Sequence, residues 1–147
     1  MQIKKLSVII PAYNEENTIS IILNRISAIL LSNGIQKEII IVNDGSTDNT
    51  ENKIKTFIEA NPTVSVYYYK QEKNSGKGAA IKYGVAKATG EYILIQDADL
   101  EYDPRDYNLL LDPVITGDAD VVFGSRFIGS KPHRILFFWH SAGNKFL

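Results

Sequence analysis

No cysteine occurs among the 147 residues, which excludes disulfides, thiolate zinc sites and a cysteine nucleophile together. Any metal must therefore be held mainly by oxygen. No charge of one sign dominates: 16 basic residues stand against 17 acidic ones, for a net charge of −1, so the chain has no electrostatic footprint for nucleic acid. Long apolar runs are also missing. Leu6–Ile10 stops at Pro11, too short for a signal-peptide core, and nothing approaches the roughly 20 residues needed to span a bilayer. The stretch is expected to be soluble, with room for a seat beside a membrane. Internal repeats and low-complexity linkers are absent, and no G-x-G-x-x-G follows the first apolar run, so a dinucleotide fingerprint is lacking. What is present is a 44% apolar content, enough for a real core, in a length that suits one compact domain over residues 1–147.

Apolar runs alternate with segments of helical period, the βαβα signature of a mostly parallel sheet flanked by helices. Leu6–Ile10 reads as the first strand. Ile19, Ile22, Leu23, Ile26, Ile29 and Leu30 then mark one face of a helix, with Asn17 as N-cap and Gly34 as its stop. Glu38–Val42 reads as a second strand, followed by a helix with Ile54, Phe57 and Ile58 inward that Asn61-Pro62 breaks. Val64–Lys70 is a β-branched and aromatic strand, and Gly78–Ala88 a small-residue helix stopped by Gly90. Glu91–Gln96 looks the most central strand. Pro104 fits the first turn of another helix, and Ala119–Phe123 a further strand. Residues 134–147 look helical but end in mid-run without a cap, so the domain is expected to be incomplete at its C-terminus.

In open α/β sheets ligands bind outside the carboxyl ends of the strands. Four strand ends here carry polar loops: Pro11-Ala12-Tyr13-Asn14-Glu15, Asn43-Asp44-Gly45-Ser46-Thr47-Asp48, Asp97-Ala98-Asp99 and Gly124-Ser125-Arg126. All four would open on one edge of a parallel sheet. Asp97-Ala98-Asp99-Leu100-Glu101 is the sharpest of these signals. Two carboxylates one residue apart after an apolar strand can hold Mg²⁺ or Mn²⁺, with substrate phosphates completing the shell. The plainer alternative is a solvated acidic turn. An EF-hand does not fit, since its sixth position is Tyr102 and its twelfth Asn108.

Asp44 can accept a hydrogen bond from a ring N–H of uracil or guanine alike, or serve only as an Asx-turn or helix cap. Pro11-Ala12-Tyr13 can wall a base. Glu15 can reach ribose hydroxyls, or merely sit favourably near a helix N-terminus. Asn74-Ser75-Gly76-Lys77-Gly78 is no P-loop, because Gln71 stands where glycine is needed and Gly78 where Ser or Thr is needed. It reads as a glycine-rich loop that lets backbone approach a nucleotide, with Lys77 near phosphate or base, or as a flexible lead into a helix. Arg126 and Arg134 suit phosphate oxygens, although Arg134 can equally pair with Asp103 or Asp106. Ile135–Trp139 is read as core in preference to an interfacial anchor.

Ser7-Val8-Ile9-Ile10-Pro11-Ala12-Tyr13-Asn14-Glu15, Val42-Asn43-Asp44-Gly45-Ser46-Thr47-Asp48 and Gln96-Asp97-Ala98-Asp99, in this order, resemble the family 2 glycosyltransferases of GT-A (Rossmann-like) fold. Gly76-Lys77-Gly78-Ala79-Ala80, Gly124-Ser125-Arg126 and Trp139-His140-Ser141-Ala142-Gly143-Asn144 resemble the polyprenyl- or dolichyl-phosphate mannosyl- and glucosyltransferase branch. The resemblance implies a nucleoside pocket of Pro11, Ala12, Tyr13, Glu15 and Asp44, with Gly76 and Lys77 closing over the base. It implies that Asp97 contacts ribose and phosphate-side groups, beside Ala98, and that Asp99 binds the metal with Glu101 as a further ligand. Related mannosyltransferases often carry glutamine at the position of Glu101. Arg126, Arg134, Ser141 and Asn144 are assigned to the acceptor, the last two by resemblance.

The expected activity is inverting transfer of a hexose from a UDP- or GDP-sugar to a polyprenyl phosphate, with Asp97, Asp99 and Arg126 as the catalytic set. Stabilising charge on the departing nucleoside diphosphate would supply most of the rate. A phosphate acceptor is already anionic, so the lack of an evident general base favours it over a sugar hydroxyl. The rivals are transfer to a surface polysaccharide, a non-catalytic nucleotide-binding module, and a nucleotidyltransferase. For the last, the glycine- and arginine-rich N-terminal loop is missing. The expected place is the cytoplasm, at the cytoplasmic face of a membrane.

Overall fold

A computed structural model of the chain describes residues 3–124. Four strands form a parallel sheet in the order β3-β2-β1-β4: β1 is Lys5–Ala12, β2 Gln36–Asn43, β3 Val66–Lys70 and β4 Tyr92–Ile95. Helix α1 is Ile19–Ala28, α2 Thr50–Ala60, α3 Lys77–Lys87 and α4 Tyr107–Ile115. The α/β architecture expected from alternating periods is the one observed. Because the chain moves outward from β1 to β3 and then returns to the other side of β1, the strand order reverses between β1 and β4. That reversal is where such sheets bind ligands.

The pleat of β1 and β2 divides the core in two. Leu6, Val8, Ile10, Ile39 and Ile41 face α1, α2 and α4, where Ile22, Leu23, Ile26, Ile54, Phe57, Tyr107 and Leu111 complete the main cluster. Ile9, Ile40 and Val42 face the other way, onto Ala80 of α3. Helix α3 lies close against this face because Gly84 has no side chain: a Cβ there would stand 2.6 Å from Ile9 Cγ2.

Several boundaries differ from the sequence expectation. Helix α1 is capped at Thr18, not Asn17, and ends at Ala28, well before Gly34. Ile29 turns extended and Leu30 is 87% exposed, while the Lys37 ammonium takes the carbonyls of Ile26 and Ile29 and so caps the helix. The register of β3 with β2 begins at Val66, with Ser65 O accepting the Ile39 amide just before it, while Val64 lies in a turn with its amide on Asn61 O. Pro104 opens a short 3-10 turn, capped by Asp103, that leads into α4.

Two strand expectations differ from what residues 3–124 show. Among the described residues β4 is an edge strand, not a central one: Tyr92 and Leu94 pack on the main core, but Ile93 and Ile95 are 41% and 50% exposed. An apolar run suggests a central strand, and among the described residues only one face of this one is covered. Residues 119–123 form no strand; the amides of Asp118 and Ala119 return to Pro113 O in the turn ending α4, and no ladder partner follows among the described residues. β propensity alone cannot supply that partner.

Candidate active site

The cleft opens where β1 and β4 part. Their ladder runs from Leu6 to Ile9, extended by the Gln96 amide on Ile9 O. Pro11, two residues on, has no N–H to continue it, so the strands separate at the proline. A cleft of about 250 Å³ lies beyond, lined by Pro11, Ala12, Tyr13, Glu15, Asp44, Asn74, Gly76, Lys77, Asp97, Ala98 and Asp99. Every residue expected around the nucleotide sugar is therefore brought to one place. Asn74 is the addition, and its position in a polar loop gave no signal that set it apart from Ser75.

The first two loops are laced together. Asn14, held at φ 54, accepts from the Thr47 amide through Oδ1 at 2.9 Å and gives its own amide to Ser46 Oγ at 3.0 Å. Asparagine is one of the few residues that adopts this left-handed conformation readily. The Glu15 amide donates to Thr50 Oγ1, the Glu16 amide to Asp48 Oδ2, and the Asn49 amide to Glu16 Oε2. Short polar side chains thus fix both loops before any ligand arrives. Glu15 lines the cleft and also accepts the Thr18 hydroxyl at the entry to α1.

Asp44 is 3% exposed and grips the glycine-rich loop. Its two oxygens accept from the amides of Ser75 and Gly76, each at 2.8 Å. Gly45 permits this approach: it sits at φ 70, and a Cβ there would stand 2.7 Å from Lys73 C and Asn74 N. The grip sets the start of α3, whose first residue, Lys77, reaches across to Asp97. The ammonium lies 2.7 Å from Oδ1 and 2.8 Å from Oδ2. One face of the cleft thus carries an exposed cation–carboxylate pair, which costs little to separate.

The acidic turn is tightly wound. Leu100 takes φ 66 and the Glu101 amide donates to Asp99 Oδ1 at 3.0 Å. Asp97 and Asp99 line the cleft and Glu101 does not. Among the described residues no group of three His, Cys, Asp or Glu side chains is gathered to hold a metal ion. Of the expected set of Asp97, Asp99 and Glu101, Glu101 is set apart from the cleft lining, its amide closing the turn on Asp99 Oδ1. The two remaining carboxylates still fit a hard divalent ion that completes its shell with phosphate oxygens and water. That the Lys77 ammonium settles on Asp97 shows that a positive charge is favoured there. Arg126, Arg134, Ser141, Asn144 and the 135–139 segment lie outside the described residues.

The glycosyl transferase family 2 model matches residues 7–137, and the chain belongs to that family. A dolichyl-phosphate beta-glucosyltransferase from Dictyostelium discoideum is 37% identical over 131 residues, covering 82% of this chain and 39% of the relative. The chain thus spans about two fifths of that relative's length. A mannosyltransferase from Pyrobaculum calidifontis, solved in complex with GDP-Man and Mn²⁺, superposes with a TM-score of 0.59 at 27% identity, over 67% of this chain and 28% of that one. Glucosyl-3-phosphoglycerate synthase from Mycobacterium tuberculosis, solved with Mn²⁺, UDP-glucose and phosphoglyceric acid, gives 0.63 at 28% identity, over 78% and 41%. The fold is therefore the GT-A fold of glycosyltransferases.

Proposed function

We propose that the protein of this chain transfers a hexose from a nucleoside-diphosphate sugar to an acceptor phosphate carried on a polyprenyl lipid, with inversion at the anomeric carbon. The observation that carries this is the single cleft in which Tyr13 and Asp44 share walls with Lys77, Asp97 and Asp99. Family membership and the lipid-phosphate name of the Dictyostelium relative support it.

In this reading the base lies against Pro11, Ala12 and Tyr13. Each Asp44 oxygen already holds one loop amide but retains a lone pair, so a ring N–H of uracil or guanine can still be accepted. Lys77 leaves Asp97 for the diphosphate, a shift that the weakness of an exposed pair allows. Asp97 then faces ribose and phosphate-side groups. Mg²⁺ or Mn²⁺, held by Asp99 with Asp97, would neutralise the charge on the departing diphosphate. The acceptor oxygen forms its bond to C1 from the opposite face as the C1–O bond to the diphosphate breaks, and that electron pair leaves with the nucleoside diphosphate. An acceptor phosphate is anionic at neutral pH and needs no base. Arg126, Arg134, Ser141 and Asn144 are assigned to that phosphate, and the site of action to the cytoplasmic face of a membrane. No described helix is long and apolar enough to cross one.

Calorimetric titration with UDP, GDP and their glucose and mannose conjugates, with and without Mn²⁺, tests the donor half. Asp99→Ala is expected to abolish the metal-dependent part of binding. Tight binding by that variant with no metal requirement would sink the assignment. Transfer to polyprenyl phosphate, set against transfer to an oligosaccharide, tests the acceptor half.

A further inference from the structure

The acidic turn rests on a buried polar pair that the proposed reaction does not touch. Gln96 and Tyr107 are each 1% exposed. Gln96 ends the ladder, giving its amide to Ile9 O, and its side chain is fully engaged beneath the turn. Nε2 donates to Asp97 O at 3.0 Å and to Tyr102 O at 3.3 Å, while Oε1 accepts the Tyr107 hydroxyl at 2.9 Å. Carbonyl oxygens only accept, so the carboxamide must face them with its nitrogen, and its oxygen must then find a donor on the other side. Tyr107, at the start of α4 and packed in the main core, is that donor. Burial pushes its phenol well above the usual tyrosine range, so the donor proton stays in place.

We infer that Gln96 and Tyr107 are positioning residues that hold the Asp97–Tyr102 turn closed at both ends, so that the carboxylates of Asp97 and Asp99 meet cation and diphosphate already oriented. The carboxamide spans the turn as a strut: one end of the turn is Asp97 O, the other Tyr102 O, and the strut is braced from the core by a helix. The part concerning ligand rests on the function proposed above; the part concerning the turn does not. A buried pair kept only for stability would be replaceable by apolar groups of the same shape with little consequence for the turn.

Tyr107→Phe removes one hydroxyl and keeps the ring, leaving Gln96 Oε1 without its donor; Gln96→Met removes the strut while keeping its length. Two measurements on the 147-residue chain decide the matter. In the ligand-free protein, hydrogen exchange at the Glu101 amide is expected to speed up about tenfold in either variant, with the amides of β1 and β2 unchanged. In titrations with UDP or GDP, the gain in affinity conferred by Mn²⁺ is expected to fall by a similar factor, while affinity in EDTA stays within about twofold. Unchanged exchange at Glu101 in both variants overturns the inference. So does faster exchange accompanied by an undiminished Mn²⁺ gain, because the turn's shape would then be irrelevant to the site. Should the unaltered chain show no metal-dependent nucleotide binding, the proposed function fails, and the exchange measurement still decides whether the pair holds the turn.

Discussion

Glu38 shows how one residue can fix the end of the sheet opposite the cleft. It is 1% exposed on β2, yet it carries a charge. Burial by itself pushes a carboxyl up, but Lys5 at 2.7 Å, the Ser7 hydroxyl at 2.6 Å, and the Thr89 amide and hydroxyl at 2.7 and 2.9 Å outweigh it. The result is a pKa pulled down to about 2 from the ordinary 4.5. The group links β1, β2 and the segment between α3 and β4, so its charged form is bound up with the native state. A carboxyl depressed by folding stabilises above its unfolded pKa and loses that contribution as pH falls through the folded one. The contribution is on the order of 3 kcal/mol, present at pH 5 and above and withdrawn between about pH 4.5 and pH 2. Glu38→Gln should therefore be less stable at pH 7 and show a flatter acid limb, as read by urea midpoints across that range. Parallel acid limbs for the two proteins would mean that other carboxylates govern acid unfolding.

At the scale of elements, α3 carries two glycines whose replacement should have opposite signs. Alanine is a better helix former than glycine by about 1 kcal/mol. At Gly78 nothing lies within 4 Å of the added Cβ, so Gly78→Ala should be neutral or stabilising by up to that amount. At Gly84 the same methyl lies 2.6 Å from Ile9 Cγ2 and 3.4 Å from Val42 Cγ2, and the helix must move off the sheet. Overpacking of that kind costs about 1–3 kcal/mol, which exceeds the propensity gain, so Gly84→Ala should lower the melting temperature. Equal shifts for the two variants would show that α3 does not depend on close approach at Gly84. This contrast also marks what the sequence could and could not convey. Strands β1 and β2 and the inward faces of α1 and α2 were legible because burial imposes period on the chain. The cleft residues were legible because they follow strand ends. The grip of Asp44 on Ser75 and Gly76, more than thirty residues away, was not, since an Asx-turn and a loop clamp use the same residue type. Nor was the place of β4 beside β1 alone, or the lack of a ladder at 119–123, among the described residues, because a ladder partner is a property of the assembled sheet. Glu101 entered the metal set through the family resemblance, and which carboxylates line the cleft depends on how the turn around Leu100 is wound, which the sequence does not state.

For the molecule as a whole, the cleft lies at the reversal of strand order, where β1 and its loop on one side meet β4 and its turn on the other. Beside it, the Lys77–Asp97 pair brings the start of α3 to the end of β4. Both groups are reached by solvent, so the pair itself adds little to folding, and Lys77→Met should melt close to the unaltered protein. Ligand linkage is another matter. A nucleotide and metal that bind only the folded state stabilise it by about 2.7 kcal/mol at a hundredfold excess over Kd, enough to raise the melting temperature by several degrees. Removing Lys77 acts on the two components with opposite sign. Asp97 loses a competing cation, so Mn²⁺ added alone should raise the melting temperature more in Lys77→Met than in the parent. UDP or GDP added with Mn²⁺ should raise it less, because the diphosphate has lost an ammonium. Thermal melts of both proteins with Mn²⁺, with nucleotide, and with the two together separate these effects. If Lys77→Met responds to the pair as strongly as the parent does, the ammonium stays on Asp97 in the bound state, and the diphosphate charge is met elsewhere.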